Sequence, residues 1–76
     1  MVLILTDQRT YLAEKMRYWT EEVLSVDGVS LLRMIRSEEL IAHVATQRPD
    51  AQHLVPLPGT VRIPTRQIQA VIDCAW

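Results

Sequence analysis

A chain of 76 residues with a formal charge of −1 has room for one domain, and a domain of that size buries only roughly 60% of its unfolded surface. One cysteine, Cys74, excludes an internal disulfide, so association with other chains is the expected source of added stability. The near-neutral balance argues against a dedicated nucleic-acid binder, and no run approaches the ~20 apolar residues of a membrane span.

The apolar start Val2–Leu5 is closed by Thr6-Asp7, which suits a short buried strand. It has no basic flank and is not expected to be a signal peptide; with a lone thiol, a reducing compartment is expected. Thr6 or Asp7 can cap a helix, and Leu12, Met16, Trp19 and Val23 then recur at helical spacing. This predicts a first helix from about Asp7 to Thr20, with Trp19 in its buried stripe and Tyr11 and Tyr18, seven apart on one side, as interface or half-buried boundary. From Val23 to Leu32 the sequence supports two readings. Asp27-Gly28 between apolar runs suits a tight hairpin, or the first helix continues to Leu24 and Ser30 caps another. Ser37 followed by Glu38-Glu39 predicts a helix start, and Pro49 stops that helix near Gln47. Pro56-Leu57-Pro58-Gly59-Thr60 predicts a turn, and Val61-Arg62-Ile63 a strand ended by Pro64. The last segment, Gln67 to Trp76, fits a helix or a strand.

Strand, helix, helix, proline-glycine turn and strand is the element order of a LysM domain. Asp7 at the first helix start, Leu12 within it, Arg17-Tyr18 at its end, Arg48-Pro49-Asp50-Ala51 and Leu57-Pro58-Gly59-Thr60-Val61-Arg62-Ile63-Pro64 together resemble the phage tail protein X family. The segment Val71–Trp76 resembles the family's short C-terminal arm with a tryptophan near its end. The chain departs from that pattern at several points. No residue separates Pro58 from Gly59, Arg48 stands where asparagine is usual, Asp50 replaces a glycine, and residues 21–36 form a longer connection.

The resemblance implies an α+β, LysM-like fold with two helices packed on a small antiparallel sheet. Residues 1–64 would form the LysM-like domain, with 22–35 as a candidate hairpin insertion, and 65–76 a C-terminal interaction arm. It also implies a structural connector in a contractile phage tail or tailocin baseplate, assembled in the host cytoplasm and retained in the virion. Its partners would be tube, hub or sheath-initiator proteins in a multi-subunit assembly, with no nucleic acid and no membrane.

The residues themselves give the candidate contacts. Ile68, Val71, Ile72 and Trp76 put more apolar surface on the last segment than a free tail should show, and Arg62 and Arg66 lie close by in sequence. Tryptophan and arginine are enriched at binding hot spots. The arm could add a strand to a partner's sheet or lay a helix in its groove, or fold back to complete its own core. A thiol nucleophile at Cys74 with His43 or His53 as base, or a metal site from the same three residues, finds no supporting pattern, so neither a reaction nor a cofactor is expected. Two alternatives remain. One is a small phage-encoded inhibitor of a host protein. The other is a glycan-binding LysM domain using Thr6, Asp7, Gln8, Arg48, Asp50 and Ala51.

Overall fold

A computed structural model describes residues 1–33 and 38–76. Its elements are β1 (Val2–Thr6), β2 (Thr10–Trp19), β3 (Val23–Leu32), α1 (Glu38–Thr46), a 3-10 turn at Ala51–His53, β4 (Leu54–Pro56), β5 (Val61–Pro64), a 3-10 turn at Thr65–Gln67, and β6 (Ile68–Asp73). The expected pair of helices on a small sheet is therefore corrected: the described residues form a mainly antiparallel sheet with one α-helix and two 3-10 turns. The Ser37 cap and residues 34–36 of the long connection lie outside the described residues.

The sheet runs β4-β3-β2-β1-β6, with β5 paired to the other end of β3. Its connectivity makes it curl. β5 lies along Val23–Val26 of β3, β6 lies along β1, and only the turn Thr65–Gln67 joins β5 to β6. That turn is tied to both ends it bridges: Thr65 N–H donates to Glu22 O at 3.0 Å, and Asp7 N–H donates to Gln67 O at 3.2 Å.

The curl creates two apolar clusters, one on each side of β1. Ile4, Ala13, Leu24, Val26, Val29 and Ile63 form one. Leu3, Leu5 and Leu12 form the other, with Val44 of α1 buried among them. A strand buried on both faces reads as a continuous apolar run rather than an alternating one, which is why Val2–Leu5 looks as it does.

The largest departure from expectation is β2, which the 4-3-4 apolar spacing predicts as helix. Tyr11, Leu12 and Ala13 pair with β1 on one edge and β3 on the other. Leu12 and Ala13 are buried in opposite clusters, so the tertiary environment overrides the helical preference of the Leu12–Arg17 run. The hydroxyl expected to cap that helix closes a hairpin instead. Thr6 Oγ1 accepts from Arg9 N–H at 2.9 Å and donates to Arg9 O at 2.8 Å. Thr20 repeats the arrangement on Val23, at 3.1 and 3.3 Å. Threonine hydroxyls satisfy turn backbone as readily as helix starts.

Asp27-Gly28 does not turn the chain. A two-residue hairpin of the Asp-Gly kind needs positive φ at both positions, and here only Gly28 has it, at 61°. β3 runs straight through, with Asp27 opposite Lys15 and Val29 opposite Ala13. The glycine is held in that conformation beneath Glu14, whose carboxylate sits where a Cβ would project.

Candidate functional site

β2 is longer than its neighbour on one side. Its pairing with β1 ends at Val2 opposite Ala13, whereas its pairing with β3 continues to Trp19 opposite Leu24. From Glu14 to Trp19 the outer edge of β2 therefore carries no strand among the described residues. Among the described residues the same stretch holds the large hydrophobic side chains that are most exposed: Met16 at 40%, Tyr18 at 44% and Trp19 at 49%.

Register sorts these side chains between the two faces. Cross-strand partners share a face, so Met16, opposite Val26, and Trp19, opposite Leu24, stand at the rim of the inner cluster that both partners belong to. Tyr18 stands on the other face, in a row with Ser25 and Arg62, and Lys15 shares that face with Asp27. The register shifts between Met16 and Tyr18, leaving Arg17 as the extra residue of a bulge, a feature typical of strand edges. Arg17 reaches Asp27 Oδ2 at 3.8 Å and Thr60 Oγ1 at 3.5 Å, and Thr60 donates to Asp27 Oδ1 at 2.6 Å. Trp19 is held at its far end, where Nε1 donates to Thr65 Oγ1 at 3.2 Å and Thr65 in turn donates to Thr20 O at 2.8 Å. The indole thus spans from β2 to the turn that closes the sheet.

The contact residues expected in the last segment are distributed differently. Ile68 and Val71 pack on the inner cluster, and Ile72 and Trp76 on the cluster beneath α1. Arg62 and Arg66 are exposed, on β5 and on the closing turn. β6 pairs with β1 from Val2↔Asp73 to Thr6↔Ile68, so this segment belongs to the same sheet. Beyond it, Trp76 Nε1 donates to Val44 O at 2.6 Å and Ala75 N–H to Ala45 O at 2.7 Å.

A concavity of about 280 Å³ lies at the C-terminal end of α1 and is lined by Leu40, His43, Val44, Gln47, Arg48, Pro49, Asp50 and His53. It brings together the two histidines but not Cys74, which packs under α1. Burial pushes the Cys74 thiol above its ordinary pKa; the N-terminal ammonium opposes the shift and Asp73 adds to it. That is the reverse of what an activated nucleophile needs. Among the described residues no group of three or more histidine, cysteine or carboxylate side chains could hold a metal, and no helix is long and apolar enough to cross a membrane. Of the residues considered for glycan contact, Thr6 is buried in the β1–β2 turn, Asp7 and Gln8 are exposed beside it, and Arg48, Asp50 and Ala51 follow α1.

No family model, curated protein or solved structure matches this chain.

The β2 residues escape a sequence reading because Met16 and Trp19 fit a helical stripe. A signal for them was present all the same. Thr20-Glu21-Glu22 separates Tyr18-Trp19 from Val23-Leu24-Ser25-Val26, and aromatic and β-branched residues on both sides of a short polar gap are a hairpin pattern.

Proposed function

We propose that this chain is a non-enzymatic protein-binding module. The observation that carries this reading is the Glu14–Trp19 edge, where unpaired strand backbone coincides with exposed Met16, Tyr18 and Trp19. An open strand edge is a template for pairing with another chain, and exposed apolar side chains grouped together mark interaction sites. The bulge at Arg17 and the charges on either side of Met16 limit indiscriminate pairing while leaving the edge accessible.

The specific assembly proposed is the one implied by the resemblance of Leu57–Pro64, a contractile phage tail or tailocin baseplate in which the chain connects neighbouring subunits. The support for it is that sequence segment together with a surface suited to a neighbour. Quantitative mass spectrometry of purified particles from the source strain tests it. A few copies per particle are expected. Absence of the chain, with the other tail proteins present, would remove the connector role and leave a binder of host protein as the form of the module to pursue.

A further inference from the structure

The two sides of the β2 edge differ in chemistry, and that difference specifies what it would accept. On the core side, Met16 and Trp19 continue the apolar rim formed by Val26 and Leu24. On the other side the edge strand itself presents Lys15 and Arg17, while Asp27, which shares their face, lies one strand further in on β3 with Thr60 and Arg17 on its carboxylate. Lys15 has no ion pair among the described residues, and Arg17 has there the long ion pair to Asp27 and a 3.5 Å contact to Thr60, with the Arg17 and Asp27 side chains exposed. Exposed pairs of that kind hold their members weakly. Glu14, the one acid within the open stretch, is turned away over Gly28, so it does not offset Lys15 and Arg17 at the edge. The length is also bounded. Val2 occupies the edge at Ala13, and the Thr20–Val23 turn closes the far end, leaving room for about six residues, an ordinary strand.

We infer that Lys15–Trp19 of β2 is a docking edge for an extended segment of a partner protein in which apolar and acidic residues alternate. The segment adds a strand to the sheet through main-chain hydrogen bonds, and pockets for alternate side chains select its sequence. Its apolar residues meet Met16 and Trp19. Its carboxylates on the opposite face meet Lys15 and Arg17, which selects the partner by charge complementarity. This rests on the binding-module reading and goes beyond it in naming the edge and the partner's pattern.

Titration of the ¹⁵N-labelled chain with a blocked Val-Glu-Val-Glu-Val-Glu peptide, and separately with its Val-Lys-Val-Lys-Val-Lys counterpart, tests it. The expected result is amide shifts concentrated on Lys15–Trp19, a blue shift of tryptophan emission, and binding of the glutamate peptide about fivefold tighter, the scale of two exposed ion pairs. Lys15→Glu, a change at an exposed position, should narrow or reverse that preference without altering the fold. Methylating the peptide amides along one edge should abolish binding, and along the other should be tolerated, because only one edge can face β2. Equal response to both peptides, no response, or shifts centred elsewhere would overturn the docking edge. So would concentration-dependent shifts of the same amides without peptide, which would make a second copy of this chain the occupant. Stoichiometric incorporation into particles alongside any of these results would leave the module standing and reject this edge alone.

Discussion

The indole nitrogen of Trp76 donates a 2.6 Å hydrogen bond to the carbonyl oxygen of Val44, so Trp76 caps the C-terminal end of α1. α1 closes at Thr46, and its last four carbonyls lack backbone N–H partners within the helix. Val44 O is taken by Trp76, Ala45 O by Ala75 N–H, and His43 O by Gln47 N–H. Arg48 adds a contact from above, with its guanidinium carbon 5.9 Å from the Trp76 ring centre.

Two substitutions at Trp76 separate the hydrogen bond from the packing. Trp76→Phe keeps an aromatic ring but orphans the Val44 carbonyl, and should cost about 1 kcal/mol. Trp76→Ala also removes the ring from the cluster under α1 and should cost about 3 kcal/mol, the low end for a large aromatic because the indole is only half buried. Urea unfolding followed by far-UV circular dichroism measures both. A Trp76→Ala midpoint unchanged from the parent would show that the tail does not hold the helix.

Trp19 and Thr65 offer a second test, at the closure of the sheet. Thr65 Oγ1 accepts from the Trp19 indole and donates to Thr20 O. Thr65→Val preserves the shape and removes both bonds, so a loss of about 1 kcal/mol is expected. Thr65→Ser should restore most of it. The local signature is emission from Trp19, measured in a Trp76→Phe background, which should move to the red as the ring loses its anchor.

What was legible in the sequence follows from how locally each element is determined. Val2–Leu5 is apolar at every position because both its faces are covered, and α1 carries its own stop in Pro49 and its own acidic first turn. Val61–Pro64 is framed by a proline-glycine turn and a proline. β2 is determined by its neighbours instead: Leu12 and Ala13 enter different clusters, and the one local hint, the hairpin pattern across Thr20-Glu21-Glu22, competes with the helical spacing of Leu12, Met16, Trp19 and Val23. Threonine chemistry misleads in the same way, since Thr6 satisfies a hairpin with the groups it would offer a helix. The candidate edge could not be read at all without the register, because it exists only where β1 stops short of β2. Trp76 is apolar enough to suggest a partner surface; the three-dimensional arrangement supplies Val44 and Arg48 as its neighbours.

Cys74 sets a pH dependence. Burial favours its neutral thiol, so the folded-state pKa lies above the unfolded one. The stabilising contribution is complete below the ordinary thiol pKa and is lost as pH rises through the folded value, because the unfolded chain then releases its proton first. Parent protein should therefore lose stability in the alkaline range more steeply than Cys74→Ser, measured as urea midpoints from pH 7 upward. Alkylation of the folded chain by iodoacetamide should also be slower than that of the urea-unfolded chain at the same pH. Parallel pH profiles for parent and variant would contradict the assignment.

Gly28 and Gly59 share a backbone conformation but not an environment, which makes them a controlled pair. Their φ angles are 61° and 67°, so alanine at either site carries a left-handed penalty of about 1 kcal/mol. At Gly59 nothing lies within 4 Å of the added Cβ, and that penalty should be the whole effect. At Gly28 the new methyl would meet Glu14 Cβ at 2.8 Å and Glu14 Oε2 at 2.6 Å. The carboxylate can swing aside, but Glu14 Cβ is fixed to β2 backbone, so the two strands must separate locally. Gly28→Ala should therefore cost about 1–3 kcal/mol more than Gly59→Ala, in the range of overpacking a fitted site. Combining Gly28→Ala with Glu14→Gly separates the terms in a double-mutant cycle, since removing the Glu14 side chain should recover the steric part and leave the backbone part. Equal costs at the two glycines would mean that Glu14 does not lie over β3, and the positive face assigned to the β2 edge would lose its basis.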